Sequence, residues 1–192
     1  MKILFITSNS SKVQLANERL KRYGIEVEQY RAELLEPQAF DVEEVALQKA
    51  RQLIDSVKAP FVVEDSGLYI EKLSGFPGAL MKPVLDSIGE TGLIKLMSGE
   101  SYRCVLVKSV LVYCDPSEKT IKPFTGNYKG SLATAPVGEV TRGWKVSRIF
   151  IPHDGRKTLA EMNDGEWEEF LEDFKKDDHY EKFGRWLEAN KC

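Results

Sequence analysis

Hydrophobic residues along this chain fall into two rhythms: short runs that suit buried strands, and repeats at three and four that suit one face of a helix. The opening run, residues 2–7 (KILFIT), is rich in β-branched side chains and predicts a buried strand. Val13, Leu15, Ala16 and Leu20 then repeat at helical spacing and stop at Gly24. Residues 25–30 predict a second strand and residues 31–41 a polar connection containing Pro37. A helix follows over residues 42–57, with Val42, Val45, Ala46, Ala50, Leu53 and Ile54 as its inward stripe. Phe61, Val62 and Val63 lead as a strand into two adjacent carboxylates, Glu64 and Asp65, at the strand end. Ser66, Gly67 and the GFPG of residues 75–78 read as turns.

The second half continues with residues 79–97, amphipathic and expected to be helical in pieces, with Pro83 and Gly92 as breaks. Residues 102–113 predict a long Val-rich strand, turned by DPSE at 115–118 into another at 120–129, together a hairpin extending from the sheet. LAEM at residues 159–162 opens a helical region. There Trp167, Phe170, Leu171 and Phe174 form a buried face, while Glu166, Glu168, Glu169 and Glu172 face water. No internal repeat is present.

Composition narrows the function classes. With 42% hydrophobic and 30% charged residues, 192 residues suit one large domain or two lobes sharing a core. A net charge of −3 supplies no global field for nucleic acid, so a polyanionic ligand needs a local basic pocket or a metal. Cys104, Cys114 and Cys192 are odd in number and lack zinc spacing, and His153 and His179 do not complete a site. They read as free thiols in a reducing cytoplasm. No apolar run approaches a membrane span and no signal-peptide pattern opens the chain, so a cytoplasmic protein with no membrane partner is expected.

Three stretches carry candidate chemistry. Glu64 and Asp65 are oxygen ligands of the kind Mg²⁺ takes, usually one or two carboxylates beside waters and a substrate phosphate. TSNSSK at residues 7–12 joins a strand to a helix start, where unpaired N–H groups and the helix dipole favour an anion. Asn9 and Lys12 could add donors there, although the same residues serve as ordinary helix caps and the glycine spacing of a Walker loop is absent. Lys49 falls inside the apolar stripe of its helix, which is costly unless the ammonium finds an anion. On the same wheel Glu44 lies across from the stripe and Glu43 turns inward.

TSNSSK at 7–12, EEVALQKA at 43–50, EDSGL at 64–68, GFPG at 75–78 and AEM at 160–162 occur in the order and spacing of one family. The chain resembles the inosine triphosphate pyrophosphatase family, the Ham1-like house-cleaning enzymes, continuously over residues 1–162. GALMK at 78–82 is closer to its eukaryotic and archaeal branch. The resemblance implies a single α/β domain over residues 1–192, with an elongated mixed β-sheet, flanking helices, and two lobes around a central cleft. It also implies a homodimer that uses Mg²⁺ to cut ITP, dITP and XTP to the monophosphate and pyrophosphate. Matched by motif, Thr7, Ser8, Asn9 and Lys12 fall where the family holds the triphosphate, Lys49 where it contacts phosphates, and Glu44 where it holds the metal. Asp65 falls on the base or metal-orienting position with Glu64 beside it, and Ser66 is placed to donate to a phosphate oxygen. The catalytic set is then Asp65, Lys12 and Lys49, and the metal set Glu44, Glu64 and Asp65. The wheel favours Glu43 where the resemblance favours Glu44.

The purine side departs from the family pattern. An aromatic, Gly, an aromatic, Asp and Pro are usual, and here stand Arg142, Gly143, Trp144, Lys145 and Val146. Trp144 keeps a ring for stacking, with Lys145 beside it. The late Ser-His-Arg signature is matched by Asp178, His179 and Tyr180, which keeps a histidine and loses the arginine fork. The altered base pocket motivates two alternatives, a pyrophosphatase with altered base specificity and a nucleotide-binding or sensing protein without turnover, while a third, a dimerising interaction module, rests on general fold reuse.

Overall fold

A computed structural model of the chain describes residues 1–140 and 144–190. Arg142 and Cys192 lie outside the described residues. In chain order the elements are β1 (Lys2–Ile6), α1 (Ser10–Leu20), β2 (Glu26–Tyr30), α2 (Val42–Leu53), β3 (Phe61–Ile70), β4 (Pro77–Gly78) and α3 (Met81–Lys95). Then follow β5 (Cys104–Asp115), β6 (Thr120–Leu132), β7 (Phe150–Pro152), α4 (Asp164–Phe174) and α5 (His179–Ala189). Among the described residues seven strands form one mixed sheet in the order β2-β1-β3-β5-β6-β7, with β4 paired to β3. The α/β class expected from the resemblance is the class found.

β1 is parallel to both β2 and β3. Such pairs need crossovers, supplied by α1 and α2, and crossovers of this kind are right-handed. Running first outward to β2 and then back past β1 to β3, they make a switch of direction between β1 and β3. In open α/β sheets that is where ligands bind, at the carboxyl ends of the strands.

By density of contact the chain divides into two compact units. The first combines Met1–Ser66, Ser109–Gly126 and the stretch from Asp177 onward; the second combines Gly67–Lys108 and Asn127–Lys176. The first unit's core includes Ile3, Phe5, Ala16, Leu20, Val62, Leu111, Tyr180 and Phe183. The second unit's core includes Leu68, Ile70, Leu93, Met97, Val107, Leu132, Phe150 and Leu159. Each large side chain so buried contributes about 1.5–3 kcal/mol before the cost of ordering it. No helix among the described residues is long and apolar enough to cross a membrane.

Several boundaries differ from the sequence expectation. β3 does not end at the carboxylates but runs on to Ile70, so Glu64 and Asp65 stand inside a strand. α2 stops at Leu53 rather than near residue 57. α3 bends at Gly89, whose φ of 66° and ψ of −179° suit glycine alone, and not at Pro83 or Gly92. Pro83 lies in the first turn, where a missing N–H costs nothing. After α1 a 3₁₀ turn over Lys21–Tyr23 is closed by Gly24 at φ 65°. Glu166 is not simply wetted: it completes a capping box with Asn163 and pairs with Lys157 at 2.6 Å.

α5 closes the first unit. Glu181, buried, accepts from Tyr23 Oη at 2.7 Å and from Arg22, and Gly184 lies against the Tyr23 ring. A Cβ at Gly184 would overlap that ring. Gly184→Ala should therefore destabilise the protein by about 1–3 kcal/mol. The check is urea unfolding, where the midpoint should fall with an unchanged m-value.

Candidate active site

The site grows from the carboxyl end of β1 and the middle of β3. The two strands pair as far as Ile6 with Val63, so Thr7 and Glu64 are the next residues on each. Thr7 is pinned by its N–H to Tyr30 O at 3.2 Å and by its carbonyl, which accepts from Gln29 Nε2 at 3.0 Å. Its hydroxyl accepts from Asn9 N–H at 3.1 Å, and Asn9 Oδ1 accepts from Ser11 N–H at 3.0 Å, capping α1. The side chains of Thr7 and Asn9 thus serve the capping role that the sequence left open beside phosphate contact. Ser8 is exposed at the crest of this turn.

Lys12, in the first turn of α1, reaches across to β3, with Nζ 3.2 Å from Glu64 O and 3.3 Å from Glu64 Oε1. Glu64 is buried and collects further partners: Tyr180 Oη donates to Oε2, His179 Nε2 lies 3.8 Å from Oε1, and Ser66 Oγ lies 3.4 Å from Oε1. Ser66 Oγ is also 2.8 Å from Ser109 Oγ, so its hydroxyl is engaged inside the protein. Burial alone would raise the Glu64 carboxyl, but Lys12, His179 and Tyr180 outweigh it and hold the group down at about 2.

Its neighbour has the opposite environment. Successive residues of a strand face opposite sides. Glu64 accordingly meets α1 and α5, while Asp65 meets Lys49 of α2, with Oδ1 2.9 Å from Nζ. Asp65 Oδ2 is buried without a hydrogen-bond partner among the described residues. Burial pushes the Asp65 carboxyl above its ordinary range, and Lys12 and Lys49 only partly oppose this. For Lys49 burial pulls the ammonium down, but Asp65 and Glu36 more than reverse it, so the net shift is upward. Two adjacent carboxylates are thus shifted in opposite directions, Glu64 downward and Asp65 upward.

The inward lysine expected from the helical wheel is therefore found, with its side chain 13% exposed. Its second partner, Glu36 Oε1 at 2.8 Å, was missed by sequence reasoning. Glu36 stands in the connection 31–41, outside any periodic element. What places it is Gln52 of α2, which accepts from Leu35 N–H at 3.0 Å and donates to Leu35 O at 2.9 Å. Nothing in that connection has a periodicity to read. The signal available was a carboxylate just ahead of the helix that carries an inward lysine.

The carboxylates expected as metal ligands, Glu44, Glu64 and Asp65, stand in different surroundings. Glu44 is exposed and accepts from Gln48 Nε2 at 3.0 Å, one turn along its own helix. Glu43 turns inward as the wheel required, but to Thr125 Oγ1 at 3.2 Å. Glu64 has donors on both oxygens. Among the described residues no group of three His, Cys, Asp or Glu side chains is set to hold a metal. A hard cation that shares its shell with substrate phosphates needs fewer: Asp65, with one oxygen free of donors, and Glu36 share one ammonium and suit such an ion.

Of the residues expected on the purine side, Trp144 and Lys145 lie in the second unit and His179 in the first. Trp144 is packed among Tyr128, Trp167, Phe170 and Phe174, with ring centroids 5.5–6.5 Å away. Lys145 lies 3.6 Å from Asp86. His179 is buried in the first unit between Glu64 and Asp178, with Nδ1 3.3 Å from Asp178 Oδ1. Arg142 lies outside the described residues.

Because the Glu64 carboxyl is held low in the folded state, its contribution to stability is complete above the unfolded value near pH 4 and is lost as pH falls through about 2. Glu64→Gln should cost on the order of 3 kcal/mol at pH 6, with the gap from the unaltered protein narrowing steadily toward pH 2. Chemical unfolding across that range measures it. A gap independent of pH would refute the assignment.

Comparison with known proteins gives the chain's family and fold relatives. A sequence model described as the Ham1 family matches residues 3–170. A dITP/XTP pyrophosphatase of Methanopyrus kandleri is 40% identical, covering 99% of this chain and 98% of that protein. One from Pyrococcus horikoshii is 42% identical, covering 84% of this chain and 85% of that protein. Among solved structures, a nucleoside-triphosphatase / dITP/XTP pyrophosphatase of Mycobacterium abscessus aligns with a TM-score of 0.74 at 26% identity, covering 92% of this chain and 96% of that one. The Ham1 protein of Staphylococcus aureus shares the fold, with a TM-score of 0.78 at 18% identity over the whole of both chains.

Proposed function

Since the chain belongs to the Ham1 family and is a nucleotide pyrophosphatase, we propose that it hydrolyses the non-canonical purine triphosphates ITP, dITP and XTP to the monophosphate and pyrophosphate. The observation that carries this reading is the meeting of Lys12 and Lys49 with the adjacent carboxylates Glu64 and Asp65, beside the turn that starts α1. Phosphoanhydride cleavage asks for that set: cations for the phosphate oxygens, an acceptor for the proton of a water, and fixed positions for both.

The roles divide by environment. Lys12 and Lys49 neutralise the triphosphate, helped by the N–H groups at the start of α1. Asp65 Oδ2, buried and without a donor among the described residues, takes the proton from the water that attacks the α-phosphorus. The bond from that phosphorus to the bridging oxygen breaks, and pyrophosphate leaves as the anion. Glu64, kept ionised, anchors Lys12 rather than reacting. Glu36 and Asp65 are the carboxylates that would hold Mg²⁺, in place of the Glu44 and Glu64 first expected. When bound, the ion would shield phosphate charge and polarise the oxygens around the cleaved bond.

The base is a separate matter. A second reading, a substrate set broadened beyond the 6-keto purines, follows from Tyr180 standing where the family's arginine fork is expected.

Pyrophosphate release should be measured on ITP, dITP, XTP, dUTP, ATP and GTP, with and without Mg²⁺. The reading expects Mg²⁺-dependent release with the keto purines fastest. Release from ATP at a comparable rate would favour the broadened set, and no release from any nucleotide would sink the activity. Asp65→Asn should lower kcat by about 10²–10⁴-fold with an unchanged circular dichroism spectrum, and an unaltered kcat would remove Asp65 from the mechanism.

A further inference from the structure

Lys12 is held by a closed ring of side chains, and one member of that ring has no part in the chemistry described so far. Lys12 and Arg19 lie two turns apart on one face of α1. Lys12 Nζ is 3.3 Å from Glu64 Oε1, and Arg19 Nε is 3.5 Å from Asp178 Oδ2. Asp178, fully buried, caps α5 by accepting from Tyr180 N–H at 2.9 Å. Tyr180 Oη donates to Glu64 Oε2 and closes the circuit. His179 spans the ring from within, 3.3 Å from Asp178 and 3.8 Å from Glu64.

The Tyr180 ring and its hydroxyl do separable things. The ring is buried at 1% exposure in the first unit's core, which apolar packing alone explains. The hydroxyl reaches out of that packing to the carboxylate that anchors Lys12. A buried carboxylate draws in every donor within reach, since an unmet lone pair in the interior is costly. Lys12 has three donors and directs its ammonium to two oxygens of Glu64, while its side chain keeps 26% exposure.

We propose, resting on the pyrophosphatase reading above, that Tyr180 is a positioning residue for the phosphate grip. By supplying the second oxygen of Glu64 with a donor, it leaves the Lys12 ammonium shared between Glu64 and the incoming phosphate tail. Without the hydroxyl, Glu64 closes on Lys12 and takes from the substrate a donor that faced it. A merely structural tie between α5 and β3 would alter stability and leave phosphate affinity where it was.

Tyr180→Phe keeps the ring and removes only the hydroxyl. Calorimetry with inorganic tripolyphosphate and Mg²⁺ reads the grip without base or turnover. Its Kd should rise about five- to tenfold, the KM for ITP should rise in step, and kcat should stay within about twofold. In a Lys12→Met background the same change should move Kd by less than about twofold, because the group it acts through is gone. Unchanged Kd and KM in Tyr180→Phe, or an equal loss in both backgrounds, overturns the proposal. Should Tyr180→Phe not fold, Asp178→Asn preserves the cap but loosens Arg19, and about a two- to threefold rise in Kd is expected; no rise overturns it. A parent protein that does not bind tripolyphosphate removes the phosphate-site reading as well. Binding by the parent with no change in the variant removes Tyr180 alone.

Discussion

A carboxylate inside a protein must be matched by donors, and the first unit is arranged around meeting that demand for Glu64. Lys12 comes to it from α1, while Tyr180 and His179 come from α5. An isolated interior charge would cost several kcal/mol, so these elements cannot be placed independently of one another. The position of the β1–α1 turn follows from that constraint. Lys12 cannot reach Glu64 unless α1 starts where Asn9 caps it, directly after the end of β1.

The same strand then uses its alternation to make two different carboxylates from neighbouring residues. Glu64 faces a set of donors that holds its carboxyl down, and Asp65 faces an interior that pushes its carboxyl up while Lys49 holds one of its oxygens. Had both pointed to one side, they would have repelled each other and competed for one lysine. The pleat separates them at no cost in chain length. A pair of carboxylates pushed apart in this way is the pattern by which one fold obtains two groups of different basicity side by side.

Much of the framework was legible in the sequence, and the failures have physical reasons. β1, α1, β2 and α2 are read from period alone, and the inward turn of Lys49 follows from its place in an apolar stripe. The carboxylates were legible as a pair but not as strand residues. Glu, Asp and Gly are poor strand formers, and only membership of the sheet overrides that local preference. Glu36 was illegible because a connection held by one glutamine carries no repeat. The orientations of Glu43 and Glu44 were legible from the wheel, which turned Glu43 inward and left Glu44 exposed. Tyr180 looked like a lost arginine and proves to be a donor to a residue more than a hundred positions earlier.

The first unit is discontinuous in the chain: β1, α1 and β3 as far as Ser66 precede the second unit, and α5 follows it. On the ribosome, Lys12 and Glu64 are therefore made and can meet while their hydroxyl partner is still untranslated. The nascent amino-terminal segment must tolerate a half-satisfied charge, kept wet by water in the space that α5 will fill. Docking of that last helix is then a dehydration step, and it seals the acid into the interior only after every other strand of the sheet exists.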